Sequence, residues 1–427
     1  MSVPHPPTAA PGAAAPVPRR GLLALGAAAT LLLGTRTAAP AAAAPHRTPA
    51  APLPPSGALE LPAPTGPYPV GTVSLRLVDR HRPDPWVAGR RCRELMVSVR
   101  YPARDTDRYP LAPHMTRGVA AGFDELNGLG VPKGRVDWAA TRGHAREGAP
   151  VARRGGRLPV VLASPGVGDP RAMGTTLVDE LASRGYVVVT VDHTYDAAAV
   201  EFPGGRVEHS RLPEEFAEAQ RTGRVTELLR KTLAVRVTDT RFVLDRLELL
   251  AAGHNPDADA APLPTGLRGA VDLRATGMLG HSAGGFTAAQ ALLEDRRIDA
   301  AVNMDGVLGY VQRYEDPSHP ATVATQGVDR PLLLMGHEGH DHRTDPSWGA
   351  LRRHSTGPVS ERTLAGGRHA SFTDAEALLP QVARLLGLPE QTVTDSIGPA
   401  DPVRAVALQR AWVSGFFDRW LRAGSRI

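Results

Sequence analysis

Residues Gly280 to Gly284 read G-H-S-A-G and fit the pattern G-x-S-x-G. In that pattern a strand bends sharply into a helix and leaves a serine hydroxyl exposed at the top of a sheet. The glycines admit a turn that forces the serine into a strained backbone conformation, with no room for side chains on either side. The flanks fit the same reading. Residues 275–280 (ATGMLG) are a short apolar run suited to a buried strand, and 286–295 (FTAAQALLED) are rich in helix formers. Ser282 is therefore the candidate nucleophile.

A serine hydroxyl is inert at neutral pH unless a base takes its proton, usually a histidine oriented by a carboxylate. On this kind of turn the chain order is serine, acid, histidine. Asp305 directly follows the apolar run 300–304 (AAVNM), and Gly306 lets the loop turn, so Asp305 is the candidate acid. Its rival is Asp341, in the polar run 337–345 (HEGHDHRTD) after the next candidate strand. His369 lies in a Gly-rich loop (GGRHASF, 366–372) beyond the last candidate strand and is the candidate base. His281 belongs to the turn itself and reads as packing, facing away from the reaction; His193 reads as structural.

Charge developing on a carbonyl oxygen needs two backbone N–H donors. One is that of Ala283, next to the nucleophile. The other is expected from the loop 164–168 (SPGVG), where Gly166 and Gly168 let the chain turn inward and present the Val167 N–H. His337 and His340 with nearby Asp could ligate zinc, but an i, i+3 pair without H-E-x-x-H or paired cysteines matches metal sites poorly. No metal or cofactor is expected.

The elements that must hold these groups follow from the pattern of apolar runs. Strands are predicted at 72–78, 95–101, 158–163, 186–191, 275–280, 300–304, 331–336 and 359–364. Helices are predicted at 173–184, 235–250, 286–295 and 374–386, that at 235–250 with a one-sided apolar stripe that reads as core-facing. The fold class is α/β, a mostly parallel central sheet of about eight strands flanked by helices, with ligands expected at the carboxyl ends of the strands. Two segments, near 111–157 and 197–230, break this rhythm and read as cap or lid insertions. No internal repeat is found.

The chain has 427 residues, 42% of them hydrophobic, and a net charge of +5. No run reaches the length of a membrane span, and no basic stripe with interleaved aromatics points to nucleic acid. Residues 1–44 have the layout of an export signal: Arg19-Arg20, a short apolar stretch at 21–34, then several A-x-A options at 38–44. The paired arginines point to the twin-arginine route. Residues 45–65 read as an Ala/Pro-rich linker, and 66–427 as a single catalytic domain. The one cysteine, Cys92, cannot form an internal disulfide.

Taken together, Ser164–Gly168, Gly280–Gly284, Asp305 and Gly366–Phe372 resemble the secreted-type platelet-activating-factor acetylhydrolases and their bacterial lipase and esterase relatives of the α/β-hydrolase superfamily. The stretches 65–72 (TGPYPVGT) and 93–102 (RELMVSVRYP) are similar to that family's opening strands. The likeness runs from about residue 61 to about 421. It implies an α/β-hydrolase fold with Ser282 as nucleophile, Asp305 as acid, His369 as base, and Val167 and Ala283 N–H groups as oxyanion donors. Pro165 departs from the mammalian form, where a histidine commonly precedes the loop glycine. The tail 407–421, with Trp412, Phe416, Phe417 and Trp420, is similar to the closing helix of such enzymes, its aromatic stripe facing the core.

The expectation is a secreted serine esterase acting on a lipid ester such as the short sn-2 acyl group of a phospholipid, with transient contact to a lipid surface and no nucleic-acid partner. The alternatives are a broad-specificity triacylglycerol lipase or cutinase-like carboxylesterase, an idle scaffold used for binding, and a metal hydrolase.

Overall fold

The computed structural model describes residues 58–153 and 156–422. The expected export signal lies outside the described residues. The chain opens with an antiparallel pair, β1 (Val70–Asp79) and β2 (Arg93–Pro102). Next come β3 (Leu111–Pro113), helix α1 (Arg117–Leu126) and β4 (Arg142–Glu147). Then β5 (Leu158–Ser164), α2 (Thr175–Ser183) and β6 (Val187–Asp192) make the first parallel crossover. A small hairpin, β7 (Ala199–Glu201) and β8 (Val207–His209), leads into α3 (Leu212–Thr222) and the long α4 (Val225–Ala251).

The chain returns to the middle of the sheet as β9 (Val271–His281), followed by α5 (Ala283–Glu294) and β10 (Ala300–Met304). Helix α6 (Thr322–Gln326), β11 (Leu332–His337), α7 (Pro346–His354) and β12 (Val359–Leu364) extend it outward. Helices α8 (Ala375–Leu386), α9 (Glu390–Ile397) and α10 (Pro402–Phe417) close the chain.

The sheet runs β12-β11-β10-β9-β5-β6-β2-β1-β4-β3, with the six strands from β12 to β6 mutually parallel. It has ten strands where about eight were expected. The two additional ones, β3 and β4, come from the segment 111–157, whose charged, short-period sequence hides an edge pair: β4 joins β1 in parallel and β3 in antiparallel fashion.

Side chains along the central strands alternate between two cores, as the pleat demands. Val160 and Leu162 face α4 and α5, while Val161 and Ala163 face α2 and α10. Both faces are covered, which is why these strands read as unbroken apolar runs. Phe416 and Phe417 lie in the second core, with Trp412 and Trp420 packed against it.

The end of the expected linker is not free chain. Leu59 and Leu61 are buried, and the Leu61 N–H and Leu59 C=O pair with Arg142 on β4. Pro62 and Ala63 give their carbonyls to Arg410 on α10, and Thr65 gives both its N–H and its hydroxyl to Glu180 on α2. A Pro-rich strand cannot make a full ladder, so side chains from other elements satisfy its backbone instead.

Strand order reverses between β5 and β9, so the carboxyl ends of these two strands flank a crevice at a topological switch point. The loop after β5 and the turn after β9 are the two segments that carry the expected site.

Candidate active site

Ser282 sits between β9 and α5 with φ 55° and ψ −120°, a conformation that a side-chain-bearing residue holds only when its surroundings enforce it. The enforcement is visible on both sides. A Cβ on Gly280 would meet the Gly284 backbone, and one on Gly284 would meet the carbonyl oxygens of Ser164 and Pro165. The Ser282 N–H is tied to the Met304 carbonyl at 2.8 Å, so the turn is latched to the end of β10.

Asp305, the next residue after β10, also has positive φ (61°) and is buried. Its Oδ2 lies 2.6 Å from His369 Nδ1. His337 Nδ1 approaches both carboxylate oxygens at 2.9 and 2.8 Å, and the His337 N–H donates to Oδ1 at 3.0 Å. His340 Nδ1 reaches Oδ1 at 2.8 Å. Burial alone would raise the Asp305 pKa. The facing charge of His340 and hydrogen bonds from His337, His340 and His369 outweigh burial and hold it well below the carboxylate range.

Asp341, the rival acid, is turned elsewhere. Its carboxylate takes the Arg343 guanidinium at 2.6 Å and the N–H groups of Arg343 and Thr344, and the Arg343 bond leads the forces that draw its pKa down to about 2. Among the described residues it has no hydrogen bond to His369. The ligand atoms of Asp305, His337 and His340 come within 4.8 Å of one another, close enough in principle for a cation. In the arrangement shown the three groups hold one another: both Nδ1 atoms lie at hydrogen-bond distance from the Asp305 carboxylate.

His369, Ser282, Ala283 and Val167 line one cavity of about 470 Å³ with Asp305 at its base. No hydrogen bond joins the Ser282 hydroxyl to His369 among the described residues. Such bonds often form only once substrate closes the site. The segment 197–230 supplies much of the apolar wall, including Leu212, Phe216 and Leu229, while Leu126 comes from the segment 111–157. Arg236, Arg313 and Arg368 all line the same cavity, the last two exposed and Arg236 buried.

Two groups that support the site escaped the reading of the sequence, and a third was read as packing that faces away from the reaction. Arg236, on α4, is 1% exposed and forms a two-pronged ion pair with Asp196 at 2.7 and 2.6 Å. It also donates to the carbonyls of Pro165 at 2.7 Å and Gly166 at 3.0 Å, inside the loop that carries Val167. Helix α4 is core-facing as expected, but its stripe includes this buried cation. The polar run HTYD (193–196) at the carboxyl end of β6 was the available signal for its partner.

The second is Asp169, buried beneath the same loop, bonded to Asn127 and facing His369. The third is His281, which does more than pack. Its Nε2 donates to the His369 carbonyl at 3.0 Å, and the two rings lie 4.5 Å apart. Burial, then the facing charge of His369, presses its pKa down to about 3, so it works as a neutral ring. His193 bridges Ser164 Oγ and Asp239, each at 3.0 Å, deep under β5.

Known proteins are similar to this chain over much of its length. A solved ferulic acid esterase from Streptomyces cinnamoneus superposes with a TM-score of 0.64 at 33% identity, covering 86% of this chain and 94% of that one. A probable 1-alkyl-2-acetylglycerophosphocholine esterase of Arthroderma benhamiae is 27% identical over 84% of this chain and 87% of its own length. The platelet-activating factor acetylhydrolase of Cavia porcellus is 24% identical over 58% of this chain and 56% of its own length. Residues 55–388 match the sequence profile of platelet-activating factor acetylhydrolase, isoform II. With that match spanning the Ser282 turn, Asp305 and His369, the chain belongs to the platelet-activating factor acetylhydrolase isoform II family of α/β-hydrolases.

Proposed function

We propose that the chain is a serine esterase in which Ser282, His369 and Asp305 form the catalytic triad. The observation that carries this reading is the strained Ser282 facing the same cavity as His369, whose Nδ1 is held by Asp305 at 2.6 Å. His369 Nε2 takes the Ser282 proton as Oγ attacks the ester carbonyl. The resulting oxyanion is received by the N–H groups of Val167 and Ala283. Collapse expels the alcohol, which takes the proton from His369 and leaves an acyl-enzyme. Water, activated by the same imidazole, then releases the acid and restores Ser282. The residues named suffice for every step, with no cofactor.

The substrate favoured is a lipid ester with a short acyl group, as in 1-alkyl-2-acetyl glycerophosphocholine. The apolar cap wall suits an alkyl chain, and the relatives named for that ester support the assignment. Residues 1–44 direct export, so the enzyme acts outside the cell. Among the described residues no helix is long and apolar enough to cross a membrane. The ferulic acid esterase likeness supports a second reading, hydrolysis of an aromatic acid ester.

The test is kcat/KM on 1-alkyl-2-acetyl glycerophosphocholine, the same glyceride without phosphocholine, and methyl ferulate. Ser282→Ala is the blank. A tenfold preference, about 1.4 kcal/mol, for the first establishes headgroup recognition. Preference for ferulate moves the enzyme to the second reading, equal rates make it a general carboxylesterase, and retained activity in Ser282→Ala overturns the triad.

A further inference from the structure

His340 lies beyond the triad, yet its contacts are better defined than those of any other histidine in the cavity. It is 2% exposed. Its Nδ1 is 2.8 Å from Asp305 Oδ1, and its Nε2 is 3.0 Å from Asp345 Oδ2. Asp345 caps α7, and its other oxygen already accepts from the Ser347 hydroxyl and N–H, each at 2.7 Å, and from the Trp348 N–H. Both carboxylates are therefore committed acceptors. A neutral imidazole has only one N–H and could satisfy only one of them. Two carboxylate contacts at hydrogen-bond length require both ring nitrogens to carry protons.

The faces of the ring tell the same story. Tyr314 stacks on one side, with centroids 4.4 Å apart and an interplanar angle of 20°. Trp348 stacks at 4.3 Å and 29°. Two aromatic faces around one imidazole form the sandwich that favours a cation. Burial lowers the His340 pKa, but the charges and hydrogen bonds of Asp305 and Asp345 overcome it and raise the value to about 9.

We propose that His340 is a positioning residue of the reaction: a permanent imidazolium, fixed between Asp305 and Asp345, that keeps Asp305 ionised and limits how strongly it holds a proton on His369. The relay thus runs Ser282, His369, Asp305, His340, Asp345. The groups facing His340 are Asp305 and His337 from the strand ends, Asp345 and Trp348 from α7, and Tyr314, with Glu315 beside its hydroxyl. Those facing His369 are Asp305, His281 and Asp169. His340, held between two carboxylates, adds a positive charge to the far side of the shared carboxylate. Without it Asp305 pulls harder on the imidazolium form of His369, and the base is released only at higher pH.

This inference rests on the triad proposed above, and its test separates the two. The pH profile of kcat/KM on 4-nitrophenyl acetate is measured for the wild type, His340→Gln, Asp345→Asn and Tyr314→Leu. His340→Gln moves the acidic limb upward by about one unit. Tyr314→Leu, which leaves both carboxylates on the ring, and Asp345→Asn, which leaves the Asp305 bond, do not move it upward. A merely structural role lowers rate or melting temperature in His340→Gln and leaves its limb where it was, which overturns the proposal. In parallel, nitrogen-15 histidine spectra of the wild-type protein follow its fifteen histidines from pH 6 to 8.5. One ring, missing in His340→Gln, stays doubly protonated throughout. A neutral His340 at pH 7 overturns the inference even if a variant fails to fold. If His340 is a cation but Ser282→Ala retains activity, the triad fails instead.

Discussion

Arg236 donates to the Gly166 carbonyl oxygen at 3.0 Å, and that oxygen belongs to the same planar peptide as the Val167 N–H. In a trans peptide the two bonds point in opposite directions. A guanidinium pulling the carbonyl into the interior therefore turns the N–H outward, into the cavity. Arg236→Lys keeps the charge but loses the fork that holds Asp196 and the two carbonyls together. We expect kcat to fall by about a hundredfold with KM nearly unchanged, the signature of a lost transition-state donor. Steady-state kinetics beside a melting curve check this. A pure rise in KM would assign Arg236 to substrate binding instead.

Gly284 faces the loop after β5 from the other side. In Gly284→Ala the new methyl has to displace the Ser164 and Pro165 carbonyls, both backbone atoms. Overpacking of this kind costs about 1–3 kcal/mol, and here it also spreads apart the two N–H groups proposed as oxyanion donors. The expected result is near-complete loss of activity together with a lower melting temperature. Ser282→Ala should lose the activity alone.

Asp169 makes stability depend on pH. Burial, opposed by the charges of His369 and Arg236, lifts its pKa from 3.8 to about 6. Between those values the native protein holds a proton that the unfolded chain has released. Its stabilising contribution is full below pH 3.8 and is lost as pH rises through 6, by about 3 kcal/mol at most. Asp169→Asn should therefore gain stability over the wild type at pH 8 but not at pH 3.5. Denaturant midpoints at both pH values decide it, and an equal gain at both would refute the assignment.

His281 offers a contrast with His340. It is neutral throughout the working range, and it holds the loop of His369 by one bond to a carbonyl. His281→Ala should reduce kcat by about tenfold through misplacement of the base. The acidic limb of the pH profile should stay in place, because no charge has been removed. A displaced limb would mean that His281 titrates with the site.

What could be read beforehand divides along physical lines. The central strands and the Ser282 turn were legible because each is decided by local pattern, a run of apolar residues or a pair of glycines. β3 and β4 were not, because a three-residue edge strand and its six-residue neighbour, half in water, carry no apolar signature. Ser282, Asp305 and His369 were picked out as candidates by their order along the chain, and the structure lines one cavity with all three and brings Asp305 and His369 into hydrogen-bond contact. Arg236 was hidden among Val235 and Val237, since its meaning depends on Asp196, forty positions away and on another element. His340 was noticed only as a weak metal ligand. Nothing in HEGH reveals that Tyr314 and Trp348 will close over it.

The strap at residues 59–65 has a further consequence. By joining Arg410 near the end of the chain to Pro62 and Ala63 near the beginning of the described residues, it latches the two ends of the fold to each other. Fraying from either end must first undo the other, so exopeptidase trimming should stall at the latch from both sides.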